Sequence, residues 1–296
     1  MSLELELDLG APARRGATHV AADRRVAWSE WGPPDGAPVL FAPGAATSSA
    51  LGFATAALDR LGVRLIALDR PGLGRSDPNP DRSLLDFAAD VRALAAARDL
   101  GVPAIVGFSQ GAPFALACAA QGVVSAVAIV AGTDELAAPA LRDALPPEVR
   151  RLIEQAEHDP LAGESFFRGM TPAMMLEMLH SLSPAVDLAV YCHPRFVAAF
   201  REALDEGFAQ GPAGYGRDTL LAMRRWPFDV QSIRIPVHFW YGRHDASPFH
   251  SPDLGESLAR RIPGATRTVV DGAGGALLWT HGAAILESLV APPADR

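Results

Sequence analysis

The segment Gly107-Phe108-Ser109-Gln110-Gly111 carries the residue pattern in this sequence best suited to chemistry. It directly follows the apolar run Pro103-Ala104-Ile105-Val106 and directly precedes a stretch of small, helix-compatible residues. A serine held in G-x-S-x-G at a sharp strand-to-helix turn has its hydroxyl lifted clear of the sheet. Glycines flank it because larger side chains would strike the neighbouring strand and helix. The amides that follow, beginning with Gln110, then sit at a helix N-terminus, where N–H groups without intrahelical partners can stabilise an oxyanion. Such a serine attacks an acyl carbon once a base takes its proton and an acid orients that base. A bare G-x-S-x-G is common by chance and could be no more than a Gly-Ser helix start; its setting between strand and helix is what gives it weight.

The elements that must hold this serine follow from hydrophobic periodicity. Two amphipathic strands are predicted around residues 17–22 and 25–32, then an apolar strand at 38–42 that ends in Ala42-Pro43-Gly44-Ala45. Apolar runs at 63–68, 104–108 and 123–130 alternate with helical patterns near 83–99 and 111–121, the signature of an α/β fold with a parallel sheet covered on both faces. Residues 134–230 break this rhythm with helical periodicity and turn signals such as Pro146-Pro147 and Gly211-Pro212, and are predicted to form a helical cap or lid inserted into a core made of 1–133 and 231–296. The β/α pattern resumes with a strand at 237–241, a helix at 252–261, a strand at 266–270 and a last helix from about 280. At the N-terminus, residues 1–9 alternate apolar with acidic side chains, which suits a strand or an ordered arm and lacks the basic start and apolar block of a signal peptide.

These features together resemble the large family of bacterial α/β hydrolases with a helical cap, over nearly the whole chain. The fold this implies is a mostly parallel twisted sheet flanked by helices. Asp69-Arg70-Pro71-Gly72-Leu73-Gly74-Arg75-Ser76 is similar to the family's loop after its fourth strand, a tight Gly/Pro turn bordering the pocket. In the family, a His-Gly-x turn after the third strand supplies one oxyanion amide; here it is Pro43-Gly44-Ala45, in which the glycine matches and the histidine does not. The resemblance therefore nominates the backbone N–H groups of Ala45 and Gln110. Tyr241-Gly242-Arg243-His244-Asp245 resembles the family's Gly-x-x-Asp turn and points to Asp245 as the triad acid. Asp134 occupies a position that some relatives of the fold use, although a cap or loop aspartate is the simpler account of it.

The family's histidine follows the last strand in a Gly-x-Gly-His turn. The matching segment runs Val270-Asp271-Gly272-Ala273-Gly274-Gly275, so Gly275 stands where histidine is expected, and the general base is expected to be missing. His281, just after Thr280 as a candidate N-cap for the last helix, is the nearest substitute. If helix already begins near 275, six residues rotate it by about 240° net off the required face, and only an irregular 276–280 loop would bring it back. His244 should point away if Asp245 points inward, His250 lies in a Pro-flanked loop, and His19, His158, His180, His193 and His238 have no motif context. Loss of a triad member costs roughly 10⁴ to 10⁶ in turnover. The expectation is a serine hydrolase of esterase-like type, acting on a small, apolar acyl substrate through Ser109 and Asp245, with its histidine missing. The alternative is a non-hydrolytic protein of the same fold that binds or senses a small molecule.

Composition narrows the partners. With 26 basic and 34 acidic residues the net charge is −8, and arginine is scattered rather than blocked, so there is no electrostatic footprint for nucleic acid or anionic lipid. The most apolar stretch, 114–132, is broken by Gln121, Gly122 and Ser125 and reads as helix then strand rather than a membrane span. Cys118 and Cys192 lie among apolar neighbours, which favours reduced interior thiols and a reducing cytoplasm over a disulfide framework. No Cys/His/Asp spacing suggests a metal, and no cofactor is called for. The lid carries Phe166, Phe167, Met170, Met174, Met175 and Met178, an adaptable apolar set that could pack within the lid or face a pocket.

Overall fold

Alternate residues of the central strands enter two different apolar cores, which is why these segments read as unbroken apolar runs. The structure, a computed structural model, describes residues 7–290, so most of the N-terminal alternation lies outside the described residues. The strands are β1 (Arg14–His19), β2 (Arg25–Trp31), β3 (Ala37–Ala42), β4 (Val63–Leu68), β5 (Ala104–Phe108), β6 (Val127–Val130), β7 (Val237–Gly242) and β8 (Thr266–Val270). They form one sheet in the order β1-β2-β4-β3-β5-β6-β7-β8. The β1–β2 and β2–β4 pairs are antiparallel and all the others parallel, so the expected opening hairpin leads into a parallel sheet.

Period two sorts the side chains. Val39, Phe41, Leu65, Ala67, Val106 and Val130 face one core, and Leu40, Ala42, Ile66, Leu68, Ile105 and Ile129 face the other. Helices α1 (Leu58–Leu61) and α11 (Leu277–Val290) cover the first face; α2 (Leu84–Ala97), α3 (Ala112–Ala120) and α10 (Glu256–Arg261) cover the second. Helix α2 starts where a capping box dictates: Ser83 accepts from the Asp86 amide and Asp86 accepts from the Ser83 amide, an arrangement whose serine alone is worth about 1 kcal/mol. Helix α10 begins later than expected because Leu254 and Gly255 take φ of +55° and +76°, which no helical turn tolerates.

Between β6 and β7 the chain inserts α4 (Pro147–His158), α5 (Pro160–Phe167), α6 (Pro172–Leu182), α7 (Ala185–Tyr191), α8 (Pro194–Gly207) and α9 (Ala213–Met223). Proline stands at the start of four of these helices, where its missing N–H has no intrahelical partner to lose. Their apolar faces join the first core above the C-terminal ends of β3, β5 and β6. Of the two cysteines, Cys118 is buried in α3 as expected, whereas Cys192, at the C-cap of α7, is exposed.

Candidate active site

Gly107 and Gly111 make the turn around Ser109 possible. A Cβ on Gly107 would come within 2.8 Å of the Ala115 Cβ, and one on Gly111 within 2.0 Å of the Ala42 carbonyl oxygen. Ser109 itself takes φ +49°, a left-handed conformation that costs a non-glycine residue energy and is held here by the surrounding packing. Its carbonyl accepts from the Thr133 amide at 3.1 Å, tying the turn to the strand end of β6. The hydroxyl consequently stands at the floor of a cavity over the sheet.

The expectation of a site without an imidazole is corrected by His250. Its Nε2 lies 2.9 Å from Ser109 Oγ. Its Nδ1 lies 2.8 and 3.0 Å from the two carboxylate oxygens of Asp245. With Nδ1–H donated to the carboxylate, Nε2 is left to accept the serine proton. The histidine comes from the loop after β7, five residues beyond Asp245, rather than from the turn after β8. That loop is braced: the Ser247 amide donates to Asp245, the His250 amide donates to the Ser247 carbonyl, and the Ser251 amide donates to the Gly132 carbonyl. Asp134 anchors its far end, accepting the Ser251 hydroxyl at 2.8 Å and the Glu135 amide at 2.7 Å, and burial pushes its carboxyl up to about 6. Asp134 therefore acts on the loop that carries the histidine and makes no bond to the imidazole. The signal available in the sequence was Asp245 and His250 within one Pro-flanked turn region, at a spacing too short for any intervening element.

Gly275 sits beside this line of groups. A Cβ there would be 3.3 Å from Asp245 Oδ1, 3.4 Å from His250 Cε1 and 3.6 Å from Asp187 Oδ2, so the ring of a histidine at this position would compete with the imidazole already present. The space is shared by Asp187, which descends from α7 and accepts the Gly275 and Ala276 amides at 2.8 and 3.0 Å. Those amides precede α11, and Asp187 thus satisfies donors that a helix start leaves unpaired. Burial raises the Asp187 carboxyl above its ordinary range, against the lowering effect of these two amides. Because α11 begins at Leu277, Thr280 lies inside the helix and does not cap it. His281 is carried off with that helix: its Nδ1 meets Thr280 Oγ1 at 2.8 Å, and it does not line the cavity. The structure does not bring His281 to Ser109.

The cavity has a volume of about 380 Å³ and includes Ser109, Asp245, His250, Ala45, Gln110 and Gly275 in its wall. The rest of the wall is mostly apolar, with Phe108, Phe167, Met170, Met175, Met178 and Leu179 prominent among its side chains. Met174, by contrast, is exposed on the outer side of α6. Trp279 also lines the cavity, edge-on to Phe108 and Phe196. Two carboxylates, Asp187 and Asp245, line the cavity, and no arginine does. Among the described residues there is no cluster of His, Cys, Asp or Glu able to hold a metal, and no helix long and apolar enough to cross a membrane.

Comparison with known proteins agrees with this architecture. The family model described as alpha/beta hydrolase fold matches residues 37–282. A non-heme chloroperoxidase from Streptomyces lividans is 27% identical over 279 residues, covering 90% of this chain and 95% of that protein. Among solved structures, a bromoperoxidase from Bacillus anthracis superposes with a TM-score of 0.69 at 19% identity, covering 94% of this chain and 98% of the other. The esterase RhEst1 from Rhodococcus sp. ECU1013 gives 0.66 at 18% identity, covering 95% and 99%.

Proposed function

The chain belongs to the α/β-hydrolase-fold family, and from that premise we propose that it is a serine hydrolase of esterase type with Ser109 as nucleophile, His250 as general base and Asp245 as the orienting acid. One observation carries the proposal: the continuous line from Ser109 Oγ through His250 to Asp245, with contacts of 2.9 and 2.8 Å. A protein that only bound or sensed a ligand would have no use for a strained serine aligned with an imidazole and a carboxylate. This favours hydrolysis over the binding alternative.

In this mechanism Nε2 of His250 takes the hydroxyl proton as Oγ attacks the acyl carbon, and Asp245 stabilises the imidazolium that results. The amides of Ala45 and Gln110 donate to the oxyanion, and their contribution is available without reorganisation because both belong to fixed backbone. The imidazolium then protonates the leaving group. Water repeats the sequence on the acyl-enzyme, releasing the acid and restoring the serine.

The apolar wall favours a small substrate with a hydrophobic acyl group, and the inserted helices act as its lid. The two carboxylates, without a cation beside them, disfavour substrates that carry a carboxylate of their own. The names of similar proteins, an esterase and an enol-lactonase among them, support acyl chemistry of this kind. Hydrolysis of p-nitrophenyl esters of graded acyl length tests the proposal, together with mass spectrometry after treatment with a fluorophosphonate. Turnover and a covalent adduct on Ser109 are expected, both abolished by Ser109→Ala. Undiminished hydrolysis by that variant would overturn the assignment.

A further inference from the structure

Arg70 sits in the Gly/Pro turn after β4, and its side chain is fully buried. Its guanidinium donates through Nη1 to the Pro43 carbonyl and through Nη2 to the Gly44 carbonyl at 2.9 Å. The same Nη2 lies 3.4 Å from Oε1 of Gln110, whose own amide nitrogen donates to Thr219 Oγ1 at 2.9 Å. Nε donates to Asp218 of α9 at 2.6 Å, and the guanidinium carbon lies 5.0 Å from the ring centre of Phe114. A buried cation with this many fixed acceptors is expensive to assemble and rigid once assembled.

The acceptors are the informative part. The Gly44 carbonyl and the Ala45 N–H belong to one planar trans peptide, so they point in opposite directions. Drawing the carbonyl inward onto Arg70 turns the Ala45 N–H outward, away from the guanidinium. Thr47 Oγ1 also donates to the Gly44 carbonyl, at 3.1 Å, but as a single neutral donor. At the other amide, the Gln110 side chain is gripped between Arg70 and Thr219, which restrains the residue whose backbone N–H completes the pair.

We propose that Arg70 is the positioning residue of the oxyanion hole, setting the direction of both donor amides at once, and that Asp218 links this setting to the seating of α9 in the lid. The proposal rests on Ser109 acting as a nucleophile. Asp218 is fully buried and divides its two oxygens between Arg70 and Arg82, while Arg82 also donates to the Gly214 carbonyl at the start of α9. The packing of α9 against the turn is close: a Cβ on Gly214 would lie 2.4 Å from the Gly72 carbonyl oxygen. A lid helix seated differently would withdraw the carboxylate that holds Arg70.

The test is Arg70→Lys, which keeps a positive charge but loses the planar fork that can bond two carbonyls and a carboxylate together. Removal of one oxyanion donor typically lowers kcat by roughly 10² to 10³. The expected result is a fall in kcat of roughly a hundredfold with KM changed by less than about threefold, and an equal loss of affinity for an alkyl boronic acid that mimics the tetrahedral intermediate. A role confined to stability would lower the melting temperature and leave boronate affinity intact, and that outcome would overturn the proposal. Should the lysine variant not fold, Asp218→Asn is judged by the same two quantities, and unchanged boronate affinity in that folded variant is equally fatal. Failure of the underlying assignment is distinguishable, because it would appear as hydrolysis that survives Ser109→Ala.

Discussion

Replacing His250 with alanine separates the imidazole seen beside Ser109 from every other histidine in the chain. The variant removes the group 2.9 Å from Ser109 Oγ and leaves the serine, the oxyanion amides and the apolar wall in place. Knocking out a triad member lowers turnover by roughly 10⁴ to 10⁶, about 5 to 8 kcal/mol of transition-state stabilisation. The effect on folding is far smaller. Asp245 loses its bond to Nδ1 but keeps the Ser247 amide at 3.2 Å, so the partly unsatisfied carboxylate costs about 1 to 3 kcal/mol. The assay is the initial rate of p-nitrophenyl butyrate hydrolysis, with circular dichroism to establish that the variant is folded. Added imidazole should restore part of the rate, since the vacated volume lies open to the cavity. His281→Ala serves as the control and should behave as wild type, its ring being held at Thr280 away from the cavity. A His250→Ala variant that kept more than roughly a tenth of wild-type kcat/KM would refute the mechanism, given the size of the expected loss.

Three further outcomes follow from the geometry. Gly275→His, which would restore the family's usual residue, should lower activity rather than raise it. Its Cβ would already lie 3.4 Å from His250 Cε1, and a displacement of about 1 Å in the working imidazole can cost roughly 10²-fold; a gain in kcat/KM would contradict this. Esters bearing a carboxylate on the acyl chain should show a raised KM relative to uncharged esters of equal length, and equal KM values would remove Asp187 and Asp245 as selectivity elements. Asp134 gives a pH-dependent prediction. Burial raises its carboxyl to about 6, so between the unfolded value near 4 and that point the folded protein retains a proton the unfolded chain has released. Stability is therefore lost as pH rises through this window, by about 3 kcal/mol. The difference in urea unfolding free energy between Asp134→Asn and wild type should shift in the variant's favour by about that amount from pH 4 to pH 7, and a pH-independent difference would count against the assignment.

Strand runs and the Ser109 turn were legible in the sequence because both are set by neighbours along the chain: apolar alternation for the sheet, and two glycines with a small-residue helix for the turn. The Gly-x-x-Asp pattern at Asp245 was legible for the same reason. His250 was not, because its partner Ser109 is 141 residues away and its own surroundings, Pro248 and Pro252, look like ordinary loop. The resemblance points to the turn after β8, where Gly275 stands, and from there to His281, whose ring the last helix carries to Thr280. Asp187 was invisible for a different reason. A carboxylate that caps a helix from another element leaves no trace in the spacing around that helix, and Thr280 looked like the local cap. Arg70 was seen only as part of a tight turn, since its reach to the Pro43 and Gly44 carbonyls exists only after β3 and β4 pair.

Carrying the acid and the base on one short loop has a consequence for local unfolding. β8 is the outer strand of the sheet and partly exposed, the kind of element that frays first in hydrogen exchange. A histidine hung on the turn after β8 would be swept away from the serine each time that edge opened. Asp245 and His250 instead leave the end of β7, an inner strand, and Ser251 pins the loop's far end to the Gly132 carbonyl and to Asp134 at the end of β6. In the proposed mechanism, opening of the sheet edge reaches this pair only through the Arg243 and His244 amides, which donate to the Val270 and Ala273 carbonyls, so protection factors at the start of β8 should vary independently of turnover.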